Sequence, residues 1–130
     1  MSAPSQHSRL SSDRWAGFPY EQQILMIANE VHRTARLIDL GAWDRVHPGL
    51  ERVLQLTDLT ISCASSPTRR RELLRWRDIM AILYLDEQPD GDMHERAFLC
   101  LLQFTPTAFQ QTAALFGHQD SGSGSDLQGG

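Results

Sequence analysis

The amino-acid sequence predicts an all-α protein, an antiparallel up-and-down bundle of four main helices followed by a short C-terminal helix. Three observations carry this prediction. Apolar residues recur at alternating three- and four-residue intervals along most of the chain, the signature of helices with one buried stripe. The periodic segments are punctuated by recognisable start and stop residues. The connections between them are only a few residues long, so consecutive helices must pack antiparallel.

The first segment is Tyr20–Leu40. Ile24, Ala28, Val31, Ala35 and Ile38 fall on a single stripe, Pro19 suits the first turn, and Gly41 supplies a left-handed stop. The second runs from about Asp44 to Ser62, with Asp44 as the expected N-cap and Val46, Leu50, Val53, Thr57 and Ile61 as its stripe. Pro48 falls near its first turn, where it removes at most one hydrogen bond, and the helix could equally begin there. Ser66 and Pro67 read as cap and first residue of a third helix reaching about Glu87, with Leu73, Trp76, Met80 and Leu83 inward. After the break at Gln88-Pro89-Asp90-Gly91, Asp92 and Glu95 form the expected capping box of a fourth helix, Met93–Phe104. Thr105-Pro106 restarts the pattern as a short fifth helix through Phe116, either a separate element or the fourth helix continued past a kink. Ile79–Leu85 and Ala97–Leu102 are unbroken apolar runs, but their Leu, Ala, Met and Cys content favours helix over strand.

The chain of 130 residues fits one domain, a size at which roughly 65–70% of the unfolded surface is buried. No metal or disulfide is required for stability. Residues 1–17 and 117–130 are polar and poor in large apolar side chains, so both are expected to be disordered, leaving 18–116 as the helical domain.

Composition excludes several functions. A net charge of −4 argues against holding nucleic acid by bulk electrostatics, and all 12 basic residues are Arg. Cys63 and Cys100 stand in apolar surroundings far apart in sequence, which reads as two reduced core thiols of a cytoplasmic protein. The N-terminus has no apolar signal-peptide core, and no apolar run is long enough to span a membrane. His32, His47 and His94 lie singly on separate elements, without His-x-x-His, His-Glu-x-x-His or Cys-His spacing. There is no Gly-rich phosphate loop, and neither Cys has the setting of a nucleophile. No catalytic residue, metal or cofactor is expected, and the chain does not read as an enzyme.

Two features point toward a protein partner. The third helix carries Leu73, Leu74, Trp76, Ile79, Met80, Ile82, Leu83, Tyr84 and Leu85, more apolar surface than one buried stripe uses. The excess is explained either by a central helix touched on several sides or by a groove for a partner helix or second subunit. The helix is also polarised: Arg69, Arg70, Arg71, Arg75 and Arg77 crowd its start, and Asp86, Glu87, Asp90, Asp92 and Glu95 its end. Cations at a helix N-terminus oppose its dipole. A solvated surface accounts for such clusters; an acidic partner segment contacting Arg69, Arg70 and Arg71 is the functional reading.

The order of pieces resembles a known family. The stretch ILMIANEVHRTARLIDLGAWDRVHPGLERVLQLTDLTIS is similar to the second and third helices of flagellar secretion chaperones of the FliS kind. Ala35, Gly41 and Asp44 sit at the family's helix break, and Leu50, Arg52, Val53 and Ile61 follow it. ELLRWRDIMAILYLDEQ resembles the family's later helix, with Trp76, Ile79 and Met80 in the aromatic and Met places, and the helix of Phe98 to Phe104 comes after a short acidic loop. The likeness spans about residues 20–110. Trp76 stands where the family has Tyr, Pro106 interrupts the last helix, and the family's N-terminal Tyr-bearing segment has no counterpart. The Gly-x-Trp-Asp break equally resembles FliT-type flagellar chaperones. What the resemblance implies is a cytoplasmic chaperone that clasps an amphipathic segment of an export substrate, flagellin-like, in a hydrophobic groove. The expected groove residues are Ile27, Leu74, Trp76, Ile82 and Tyr84, with Trp43 as a local staple. The competing expectation is a self-associating bundle whose spare apolar face is an obligate homodimer interface. Neither nucleic acid nor membrane is an expected partner.

Overall fold

The computed structural model describes residues 12–106. A helical turn over residues 12–16 precedes four helices: α1 (Tyr20–Leu40), α2 (Trp43–Cys63), α3 (Pro67–Leu85) and α4 (Gly91–Leu102). No strand occurs among the described residues. The helices pack in a ring, α1 on α2, α2 on α3, α3 on α4 and α4 back on α1. Two contacts display the antiparallel sense. His47, near the start of α2, reaches the Asp86 carbonyl just past the end of α3, and Trp15, just ahead of α1, reaches Thr60 near the end of α2. The fold is therefore an all-α, up-and-down bundle. The expected fifth helix through Phe116, and the expected disorder of residues 1–11 and 117–130, lie outside the described residues.

Each boundary has a local cause. Gly41 takes the left-handed conformation, φ 68°, and the N–H groups of Gly41 and Ala42 turn back onto the carbonyls of Ile38 and Leu37. The Ser66 hydroxyl accepts from the Arg69 N–H at the start of α3, with Pro67 as first residue, as predicted. Other ends differ from expectation by a residue or two. Helix α2 begins at Trp43 on Ala42, without a side-chain cap, and Asp44 lies inside its first turn, where its charge still suits the dipole. Helix α3 stops at Leu85 rather than Glu87. Asp90, not Asp92, caps α4: its carboxylate accepts from the Asp92 N–H at 3.1 Å, so the helix spans Gly91–Leu102 instead of Met93–Phe104.

The core is built from Ile24, Ile27, Val31 and Ile38 of α1; Val46, Leu50 and Val53 of α2; Leu73, Trp76, Met80 and Leu83 of α3; and Ala97, Leu101 and Leu102 of α4. Gly49 lets α2 approach α1 closely, since a Cβ there would lie 2.8 Å from Thr34 Oγ1. That hydroxyl is fixed by donating to the Glu30 carbonyl. On the opposite side, Arg77 of α3 holds both carboxylate oxygens of Asp58 on α2.

Two expectations are corrected here. The domain begins before residue 18: Trp15 is buried, its indole N–H donates to Thr60 Oγ1 at 2.8 Å, and Gln23 donates to the Trp15 and Phe18 carbonyls. One Trp brings enough apolar area to dock an otherwise polar segment. Cys63 and Cys100 are exposed rather than core thiols. Apolar neighbours in sequence do not imply burial on a helix, where adjacent residues point about 100° apart.

Candidate protein-docking face

Helix α3 buries the stripe Leu73, Trp76, Met80 and Leu83. With about 100° per residue, the line directly opposite runs through Pro67, Arg71, Leu74, Asp78, Ala81 and Leu85, with Ile82 beside it. Apart from Arg71 and Asp78 this outer line is apolar, unlike the polar solvent face expected of a bundle helix. Leu74 is 46% exposed, Ile82 58% and Leu85 80%. The three span about 16 Å along the helix. Between Ser65, Pro67, Arg70, Arg71 and Leu74, at the start of α3, lies an open hollow of about 260 Å³. Leu40 and Leu99 are also exposed, but on other helices, and single exposed apolar residues are ordinary.

The expected groove residues separate into two groups. Leu74 and Ile82 share the outer face of α3. Ile27 and Trp76 do not: both are fully enclosed in the bundle. Ile27 completes the inward stripe of α1 between Ile24 and Val31. Trp76 turns toward α4, where its indole N–H donates to the Ala97 carbonyl at 2.7 Å, a bond that locks the ring inside. Tyr84 is half-buried on the flank facing α2, its ring edge-on to His47 at 6.0 Å. His47 in turn donates from Nε2 to the Asp86 carbonyl at 2.6 Å, just past the end of α3. Leu85 belongs to this face although the expected groove does not include it. The sequence signal for it is the helical spacing Leu74-Asp78-Ala81-Leu85, set opposite the core stripe.

The arginines divide similarly. Arg69 lies over the Tyr20 ring, 4.2 Å from its centroid, and Arg70 donates to the Ala64 carbonyl at 2.9 Å, satisfying the end of α2. Arg71 is exposed and open to a partner on the outer face. Tyr20 has its hydroxyl buried without a hydrogen-bond partner; burial pushes its pKa up to about 12, against the opposing pull of the Arg69 charge.

A second concavity, about 460 Å³, lies between α1 and α4 and is lined in part by His32, Arg36, Asp39, His94, Glu95 and Phe98. His94 is fully buried and neither ring nitrogen has a hydrogen-bond partner. Burial drives its pKa down to about 4, with the Asp39 carboxylate pulling weakly the other way. His32 packs at a tilt on Phe98, centroids 5.9 Å apart, and its pKa is lowered by burial and by Arg36. Among the described residues no group of three or more His, Cys, Asp or Glu is placed to hold a metal ion. No described helix is long and apolar enough to cross a membrane.

Comparison with known proteins finds no family model, no curated protein and no solved structure that matches this chain.

Proposed function

We propose that the chain is a protein-binding chaperone or adaptor that holds an amphipathic segment of an export substrate, flagellin-like as the FliS resemblance implies, along the outer face of α3. The observation that carries this reading is the exposed row Leu74, Ile82 and Leu85 opposite the core stripe. Docking is helix against helix and involves no chemistry. Covering a wholly exposed large apolar side chain contributes about 1.5–3 kcal/mol, so these partly exposed residues supply about 1–2 kcal/mol each. The total is similar to the roughly 2–5 kcal/mol needed to order a disordered client. Apolar contact alone therefore gives weak binding, and acidic client residues on Arg71 and Arg75 would supply the remainder. A chaperone of this kind works in the cytoplasm, before its client is exported.

A photoreactive residue in place of Ile82, compared with one at Gln55 on the solvent side of α2, tests the reading against a flagellin-derived amphipathic peptide. Cross-linking is expected at position 82 and not at 55, and Ile82→Glu is expected to weaken peptide binding about tenfold or more. Equal labelling at both positions, or none at 82, defeats the proposal.

A further inference from the structure

The outer face of α3 is its own complement. We infer that, when no client is bound, this face is covered by the same face of a second copy of the chain, α3 against α3, antiparallel about a two-fold axis at Asp78. The inference rests on the reading of this face as a helix-docking surface.

Charge selects the occupant. Arg71 and Arg75 stand exposed toward the start of α3, beside Arg70 with its bond to the Ala64 carbonyl, and Asp86 and Glu87 lie just past the end of the helix. Both clusters are unfavourable toward the dipole of their own helix, cations at the N-terminus and anions at the C-terminus. An antiparallel copy brings each cluster against its opposite; a parallel copy sets like against like. A foreign helix would need an apolar centre flanked by acid at one end and base at the other, at matching spacing. A second α3 has these by construction.

The register follows from the same residues. Arg71 with Leu85, and Leu74 with Ile82, both have Asp78 as their midpoint in sequence. In this pairing Leu85, 80% exposed, comes over the hollow of about 260 Å³ between Pro67, Arg70, Arg71 and Leu74. Two-fold symmetry repeats this knob and hole at both ends of the helix pair, as an isologous interface requires. At the axis the exposed Asp78 meets its own copy, and that repulsion keeps the association reversible. A single helix pair also covers less than the roughly 1,200 Å² of a stable interface. A client can therefore displace the second copy.

Sedimentation velocity over a wide concentration range tests this on the full chain. The wild type is expected to show a weak, reversible monomer–dimer equilibrium, and Ile82→Glu to abolish it. Asp78→Asn, a near-isosteric change at an exposed site that leaves the fold intact, is expected to tighten the dimer about tenfold. Arg71→Glu/Arg75→Glu and Asp86→Arg/Glu87→Arg variants should each dissociate alone, yet form a heterodimer when mixed, because both ends are then matched. A monomer at every concentration, for Asp78→Asn as well, overturns the inference. So does a dimer indifferent to Ile82→Glu and to the charge exchange. A monomer that still cross-links the flagellin-derived peptide at position 82 overturns only the second copy as occupant; loss of that cross-link removes the docking face itself.

Discussion

His94 should make the bundle acid-labile through a single imidazole. The group titrates near 6.5 in an unfolded chain and near 4 in the fold, because burial disfavours the imidazolium and neither nitrogen has a partner. Between these pH values the unfolded chain takes up a proton that the folded chain refuses, so stability falls as pH falls. The gap from 6.5 to about 4 corresponds to about 3 kcal/mol once both states are protonated, and about 2 kcal/mol of it is gone by about pH 5. For a domain with a stability of about 5–15 kcal/mol, that is a large fraction. The groups around the ring do not cancel it: Asp39 on α1 opposes the shift only in part, and Arg36 and Glu95, of opposite charge, line the same cleft with His32. The assay is urea unfolding of the wild type and His94→Leu, followed by circular dichroism at about pH 7.5, 6 and 5. Carboxylates elsewhere titrate in both proteins and drop out of the difference. His94→Leu should gain about 2 kcal/mol on the wild type between about pH 7.5 and pH 5. A difference that does not change with pH would mean that the folded imidazole accepts its proton normally, and the account of an unpartnered buried ring would be wrong.

Two other substitutions probe the packing. Gly49→Ala adds a methyl group 2.8 Å from Thr34 Oγ1; the overpacking, about 1–3 kcal/mol, should outweigh the gain of about 1 kcal/mol in helix propensity. Thermal unfolding should show a lower midpoint for Gly49→Ala, with recovery in the Thr34→Ala/Gly49→Ala double variant; an unchanged midpoint would refute the close approach. Trp15→Ala should destabilise the domain by about 3 kcal/mol and Trp15→Phe by about 1 kcal/mol, the latter for the hydrogen bond to Thr60. Urea midpoints that match the wild type in both would show that the segment before α1 adds nothing to the fold.

The helices are legible in the sequence because their signals are local. Ser66-Pro67, Gly41 and the inward stripe Leu73, Trp76, Met80 and Leu83 act within a turn or two of the chain, and the structure places them as expected. The first and last residues of α2 and α4 are less legible, since competing acids, Asp90 against Asp92, differ only in which one the backbone presents to a free N–H. Burial is legible only where a stripe is clean. On α3, with apolar residues around most of its circumference, periodicity does not distinguish Trp76, bonded to Ala97 across the bundle, from Leu74, which faces out. The docking of Trp15 onto Thr60 joins residues 45 apart, and nothing in the local sequence records such a contact.

The departures from local rules are confined to a few places. Where stability alone decides, the chain follows the rules closely: a capped α3, a glycine stop after α1, an ion pair between Arg77 and Asp58. Helix α3 breaks them three times on its outward side, with cations at its start, anions at its end and large apolar side chains between. Each feature costs a lone bundle a little, through dipole opposition or apolar surface left in water. All three costs are relieved together by one antiparallel helix laid along that side, whether a client segment or a second α3. That these costs share one remedy on the outward side of one helix is the physical argument behind the proposed docking face.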